Sequence, residues 1–164
     1  MKALYPTALF ILLSATTCTQ PAHAPADFAL RIEDYTDTID TFQGTFTRRG
    51  IASNKAGEVF RDTTVHFDFT SQQKDSIYGM MGNTHFFTLP AVLTPQCNGI
   101  IHPSSTDNLA TRCNGVEHKV RFENGCETAD NRVKEFQRLL SFIYKMVYRN
   151  PQIRALPNSE LTRL

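Results

Sequence analysis

The chain has 164 residues, a net charge of +1, and 41% hydrophobic against 20% charged residues. That is enough chain for one domain with its own core, and the apolar content argues against disorder. Removing an N-terminal segment that contains Lys2 leaves sixteen basic and sixteen acidic residues. A neutral domain exerts no global attraction on nucleic acid, so that partner class is not expected.

Lys2 precedes the apolar run Ala8–Leu13, which is too short to span a bilayer but suits an export signal. Residues 1–17 read as a signal peptide, 18–26 as a tether, and 27–164 as a single α+β domain. In one processing route Cys18 is lipid-modified and becomes the mature N-terminus. Ala15-Thr16-Thr17 departs there from the usual Leu three positions before the cysteine and Gly or Ala directly before it. In a second route, cleavage at Ala24-Pro25-Ala26 releases a soluble domain from Asp27; an uncleaved N-terminus is the third. The expectation adopted is the first: an exported protein of the cell envelope, tethered to a membrane by lipid. No other segment is apolar enough to span a membrane. Exported domains favour disulfides. With Cys18 lipidated, Cys97, Cys113 and Cys126 allow one internal bridge and leave one thiol; the sequence does not choose the pair.

Phe28, Leu30 and Ile32 alternate with Ala29, Arg31 and Glu33, which predicts a first strand with one apolar face. Asp34–Asp40 is acidic and Thr-rich and suits a turn or loop. Phe42, Gly44 and Phe46 alternate in a second predicted strand, ended by Arg48-Arg49-Gly50, and Ser53–Glu58 is a polar loop. Val65, Phe67 and Phe69 mark a third strand. Thr70 and Gln73 then have the spacing of a capping box, opening a helix that presents Ile77, Tyr78 and Met81 on one side. Gly82 is placed to end that helix. Phe86, Phe87 and Leu89 lead to Pro90.

Ala91–Ser105 shows little periodicity and reads as an irregular connection with one short strand. Asn114-Gly115 is the preferred two-residue turn of a β-hairpin. It sets Cys113 opposite Val116, Thr111 opposite His118, and Leu109 opposite Val120. Leu109, Cys113, Val116, Val120 and Phe122 then share a face with His118, while Glu117, Lys119 and Arg121 take the other. The last helix is predicted over Asp130–Arg149 and stopped by Asn150-Pro151. Its apolar residues, Phe142, Tyr144 and Tyr148 among them, cover well over half its circumference, more than a surface helix needs. Lys134, Arg138, Ser141, Lys145 and Arg149 form the opposite strip. The tail from Pro151 reads as irregular, with Ile153 and Leu156 tucked back. The expected architecture is an antiparallel sheet of about five strands with two helices packed on one face, in the order βββαββα.

Thr70, Ile77-Tyr78 and Phe86-Phe87-Thr88-Leu89-Pro90 give the central unit a strand, a Thr cap, an Ile-Tyr helix and a Phe-Phe-x-x-Pro exit. In this the chain resembles small exported bacterial proteins, many of them lipoproteins. The resemblance covers about a fifth of the chain, with a looser echo in the last helix and Leu156-Pro157. It implies a localisation and a small mixed fold, and no activity.

Catalytic signatures are sparse. There is no Gly-x-Ser-x-Gly elbow and no His-Glu-x-x-His helix. Cys97-Asn98-Gly99-Ile100-Ile101-His102 is echoed by Cys113-Asn114-Gly115-Val116-Glu117-His118. Cys97, His102, Cys113 and His118 form a legitimate zinc set by ligand type. The spacing within each pair is loose, and exported thiols tend to oxidise, so a disulfide with structural histidines is the favoured reading. His66 and Asp68 share a strand face, which the solvated side of a sheet explains. The acidic residues from Asp27 to Asp40 lack the pattern of a calcium loop. The basic strip of the last helix suits a solvated face or an anionic lipid surface. The expected function is a non-enzymatic binding or interaction module, with no cofactor and an unidentified protein partner or the membrane as its contacts. The alternative is a small extracytoplasmic metal protein or enzyme built on the Cys/His set.

Overall fold

The computed structural model describes residues 23–51 and 61–161. The predicted signal peptide, the Cys18 lipidation site and the Ser53–Glu58 loop lie outside them. The described elements are β1 (Ala29–Glu33), β2 (Asp37–Asp40), β3 (Thr45–Ile51), β4 (Arg61–His66), α1 (Ser71–Asn83), a 3-10 turn (Phe86–Thr88), β5 (Val92–Leu93), β6 (Gly99–Cys113), β7 (Val116–Glu127), α2 (Asn131–Val147) and α3 (Pro151–Arg154). The fold is α+β. The strands form one sheet in the order β4-β3-β2-β1-β6-β7-β5, antiparallel except for the short β5–β7 pairing.

Among the described residues the strands number seven where about five were expected. One addition is β2, from a segment expected to loop. Its alternation, Asp37-x-Ile39, is hidden because a carboxylate occupies an inward position. The other is β5, two residues long, the one short strand expected after Pro90; β6, however, already begins at Gly99, inside the stretch read as irregular. The second predicted strand, over Phe42–Phe46, is displaced: β3 begins at Thr45, and Gly44 lies in the preceding turn with φ 69°. The β6–β7 hairpin has the expected register, with Cys113↔Val116, Thr111↔His118 and Leu109↔Val120. Asn114 and Gly115 both have positive φ, as a type I′ turn needs.

Leu30, Ile32, Ile39, Phe46, Leu109, Val120 and Phe122 are buried on one face of the sheet in a single cluster with Ile77 and Met81 of α1 and Val133, Phe136 and Ile143 of α2. The opposite face is polar: Thr47 and Thr64 share a 2.8 Å hydrogen bond there, and Lys119 and Arg121 are exposed. Helix α1 starts with the predicted reciprocal box, Thr70 side chain to Gln73 N–H and Gln73 side chain to Thr70 N–H. Gly82 does not end it; Asn83 is its last residue, and the left-handed position is taken by His85 at φ 52°. Asn150-Pro151 stops α2 but also begins α3, because Asn150 caps Gln152 and proline is tolerated in the first turn. Ile153 is fully buried, so this extra turn fastens the tail.

The segment 18–26, expected to be a free tether, is docked by its last residues. His23 Nδ1 lies 2.9 Å from Asp75 Oδ2, and the Ala24 N–H donates to Asp75 Oδ1 at 2.8 Å. Those bonds hold the Asp75 carboxyl below its ordinary range, the histidine contact most strongly. Asp27 accepts from the N–H groups of Asn114 and Gly115 at 2.8 and 2.7 Å. The chain therefore enters the fold clamped between α1 and the tip of the β6–β7 hairpin.

Candidate functional site

The predicted Cys/His centre does not assemble. Cys97 precedes β6 and Cys113 ends it. Counted along β7, whose Glu127 pairs with Gly99 and Val116 with Cys113, the two ends lie roughly 35 Å apart at the usual rise of a strand. No single ion bridges that span. His118 turns into the core instead, with its ring 5.0 Å from that of Phe86 in an edge contact. The side chains of His102 and Cys126 lie outside the described ones. Cys113 is a free thiol; burial, then the Asp27 charge, push its pKa up, which makes it a poor nucleophile. His66 and Asp68 do not pair, since Asp68 accepts from Phe69 N–H and from Lys74 Nζ at 2.9 Å.

The acidic residues from Asp27 to Asp40 are likewise dispersed, each to its own donors. Asp40 holds the N–H groups of Phe42 and Gln43 in the β2–β3 turn. Asp34 Oδ1 accepts from Thr36 N–H, Thr36 Oγ1 and Asp37 N–H, which shapes the β1–β2 turn. Asp34 Oδ2 accepts from the Tyr144 hydroxyl at 2.7 Å. Asp37 is 3% exposed and faces Arg48 across the β2–β3 ladder. Arg48 Nε reaches Asp37 Oδ1 at 2.9 Å and Nη2 reaches Oδ2 at 3.1 Å, a bidentate pair. Tyr148 donates to Asp37 Oδ2 at 2.6 Å. The remaining Arg48 nitrogen, Nη1, donates to the carbonyls of Leu156 and Pro157.

This cluster sits where strand alternation meets the end of α2. Ile39 and Phe46 point into the core, so Asp37 and Arg48, two residues along, point the same way. Their charges are buried and neutralise each other. Tyr144 and Tyr148 are four apart on α2 and so share a face; their rings stack at 5.8 Å with 11° between planes. Arg48 lies over the Tyr148 ring at 5.9 Å and the Phe46 ring at 5.4 Å. Burial and the neighbouring carboxylates raise both tyrosine pKa values far above the ordinary range. Both hydroxyls are therefore permanent donors. Every oxygen of Asp34 and Asp37 already accepts a hydrogen bond from the protein itself.

Around Tyr148 the surface opens. A hollow of about 560 Å³ is lined by Asp34, Ser141, Tyr144, Lys145, Tyr148 and Arg149. Tyr148 also borders a second hollow, of about 440 Å³, which reaches Arg154, Asn158 and Ser159 of the tail. The two share Tyr148 and make one groove, whose lining includes both tyrosines together with Lys145, Arg149 and Arg154. Tyr148 remains 38% exposed. The over-apolar last helix is thus only partly used by the domain's own core: Phe142 and Tyr144 pack against it, and Tyr148 stays open to the groove. Among the described residues no carboxylate pairs with Lys145, Arg149 or Arg154.

The sequence singled out Tyr144, Tyr148, Lys145 and Arg149 as members of two helix faces, but not Asp34, Asp37 and Arg48 as their partners. The signal was present: a charge stood at an inward position on each of two adjacent strands, Asp37 beside Ile39 and Arg48 beside Phe46. Among the described residues no helix is long and apolar enough to cross a membrane. No family model matches the chain, and no curated protein matches it.

Proposed function

We propose that this protein is a non-enzymatic binding domain, exported and tethered to the cell envelope through Cys18, whose ligand site is the Tyr144–Tyr148 groove. One observation carries the reading: the stacked tyrosines spend their hydroxyls on Asp34 and Asp37. What remains for a ligand is ring surface and aliphatic stem, flanked by the cations of Lys145, Arg149 and Arg154. Such a site takes a ligand with an anionic group beside a flat apolar body. The internal satisfaction of both carboxylates favours binding over acid–base chemistry.

The export reading has its own support in the cysteines. Cys97 is disulfide-bonded and Cys113 is not. The β6–β7 ladder sets Cys126 opposite Ile100, and Asn98 N–H donates to Glu127 O at 2.8 Å. The bridge we propose is Cys97–Cys126, closing the open end of the hairpin and leaving Cys113 as the spare thiol.

The test has two parts. Intact mass of alkylated protein from an exporting host should show a diacyl or triacyl addition at Cys18 and one alkylated thiol, at Cys113. The soluble domain, labelled with ¹⁵N, should then be titrated with an oligomer of uronic acid. Shifts confined to Asp34 and Ser141–Arg149, and lost in K145E/R149E, are expected. Unchanged spectra, or shifts on another face, would remove the groove as the site.

A further inference from the structure

The end of the sheet that receives the N-terminal segment and the end that carries the groove are opposite ends of β1. Asp27, bonded to the hairpin tip, precedes β1; Asp34, bonded to Tyr144, follows it. Six residues, five of them the strand β1, lie between them, and the seven steps span roughly 23 Å at strand rise. From Cys18 to the docked His23 there are five peptide steps, which reach roughly 18 Å at full extension. A lipid on Cys18 therefore holds the Asp27 end against the bilayer more closely than the groove end.

The chemistry of that end agrees. The hairpin tip is Asn114, Gly115 and Val116, three uncharged exposed residues, and Val116 is 65% exposed, the most exposed large apolar side chain among the described residues. Its turn N–H groups, which water ordinarily satisfies, are bonded to Asp27 instead. Pairing spares these donors the cost of being stripped bare at a lipid interface, while the Asp27 carboxylate that pairs them, and the exposed Glu117 beside Val116, keep the contact at headgroup level. The groove end, in contrast, carries Lys145, Arg149 and Arg154 with Asp34.

We infer that the β6–β7 hairpin tip is the membrane-facing surface of the domain, seated on the lipid interface with Val116 in contact, and that the groove opens away from that membrane. This rests on the Cys18 tether proposed above, and it sends the basic residues of α2 toward a ligand in the aqueous space rather than toward the anchoring bilayer.

The chain has no tryptophan, so single substitutions report position. Val116→Trp marks the hairpin tip. Tyr35→Trp, in the β1–β2 turn, marks the far end. Both sites are exposed, so neither probe disturbs the core. Each variant is purified with its lipid and reconstituted into phosphatidylcholine vesicles with brominated acyl chains. The V116W emission should shift to the blue and lose most of its intensity, with Y35W unchanged. Vesicle-bound protein in which Y35W is quenched, or in which neither probe is, overturns the orientation alone. A mass showing Cys18 unmodified overturns the tether and the orientation with it.

Discussion

Replacing Asp37 by Asn removes one charge from the core face of the sheet and turns one of its two accepting oxygens into a donor. The side chain keeps its shape and can still accept one hydrogen bond. Arg48, with its side chain only 10% exposed, then keeps a full charge without a counter-ion. Two unit charges about 4 Å apart attract by about 4 kcal/mol at an effective dielectric near 20, and breaking a buried pair from one side costs about 3–5 kcal/mol in general. The residual hydrogen bond offsets part of this, so a loss of about 3 kcal/mol is expected in urea unfolding, with an unchanged m-value. In a domain of this size that lowers the melting temperature by roughly 10 °C. The tail should loosen too, because Arg48 Nη1 holds the carbonyls of Leu156 and Pro157; limited proteolysis should cut there sooner. The double variant D37L/R48M replaces the pair by apolar side chains and should recover at least half of the loss. A single-variant cost below about 1 kcal/mol, the range of an exposed pair, would refute the account of Arg48–Asp37 as a buried charge brace.

Two further outcomes follow from the same geometry. Burial and the adjacent carboxylates raise the Tyr144 and Tyr148 pKa values above the ordinary value of 10.0. Their stabilising contribution is complete below pH 10 and falls as pH rises above it, because the unfolded chain releases those protons first. Absorbance at 295 nm should therefore show these hydroxyls ionising only together with unfolding, and Y144F/Y148F should abolish that coupled step. Thr111 is 0% exposed and pairs with His118 in the β6–β7 ladder; neither Thr111 Oγ1 nor His118 Nε2 has a hydrogen-bond partner among the described residues. Thr111→Val keeps the volume and removes a buried hydroxyl, so it should stabilise by about 1 kcal/mol; a loss of that size in urea unfolding would show that the hydroxyl is satisfied by water.

The Asn114-Gly115 hairpin, its register, the Thr70–Gln73 box and the apolar faces of both long helices were legible along the chain. Each is a local matter: a turn that needs positive φ, a cap that closes over three residues, and an alternation or a helical period that sorts side chains onto faces. The candidate site was not legible in this way. Asp37 read as part of a solvated acidic loop, because a charge at an inward position breaks the alternation that reveals a strand. Arg48 read as the end of its strand for the same reason. Tyr144 and Tyr148 read as surplus apolar surface on α2, with nothing to say which end of the sheet they met. Only the packing of α2 across the sheet brought residues 34 and 37 to 144 and 148, more than a hundred positions away. Cys97 and Cys113, whose matching motifs suggested a common site, are held apart by β6, which runs as one extended strand between them. A motif records what a short stretch can do on its own; whether distant stretches converge depends on side-chain packing between elements, which no local pattern encodes.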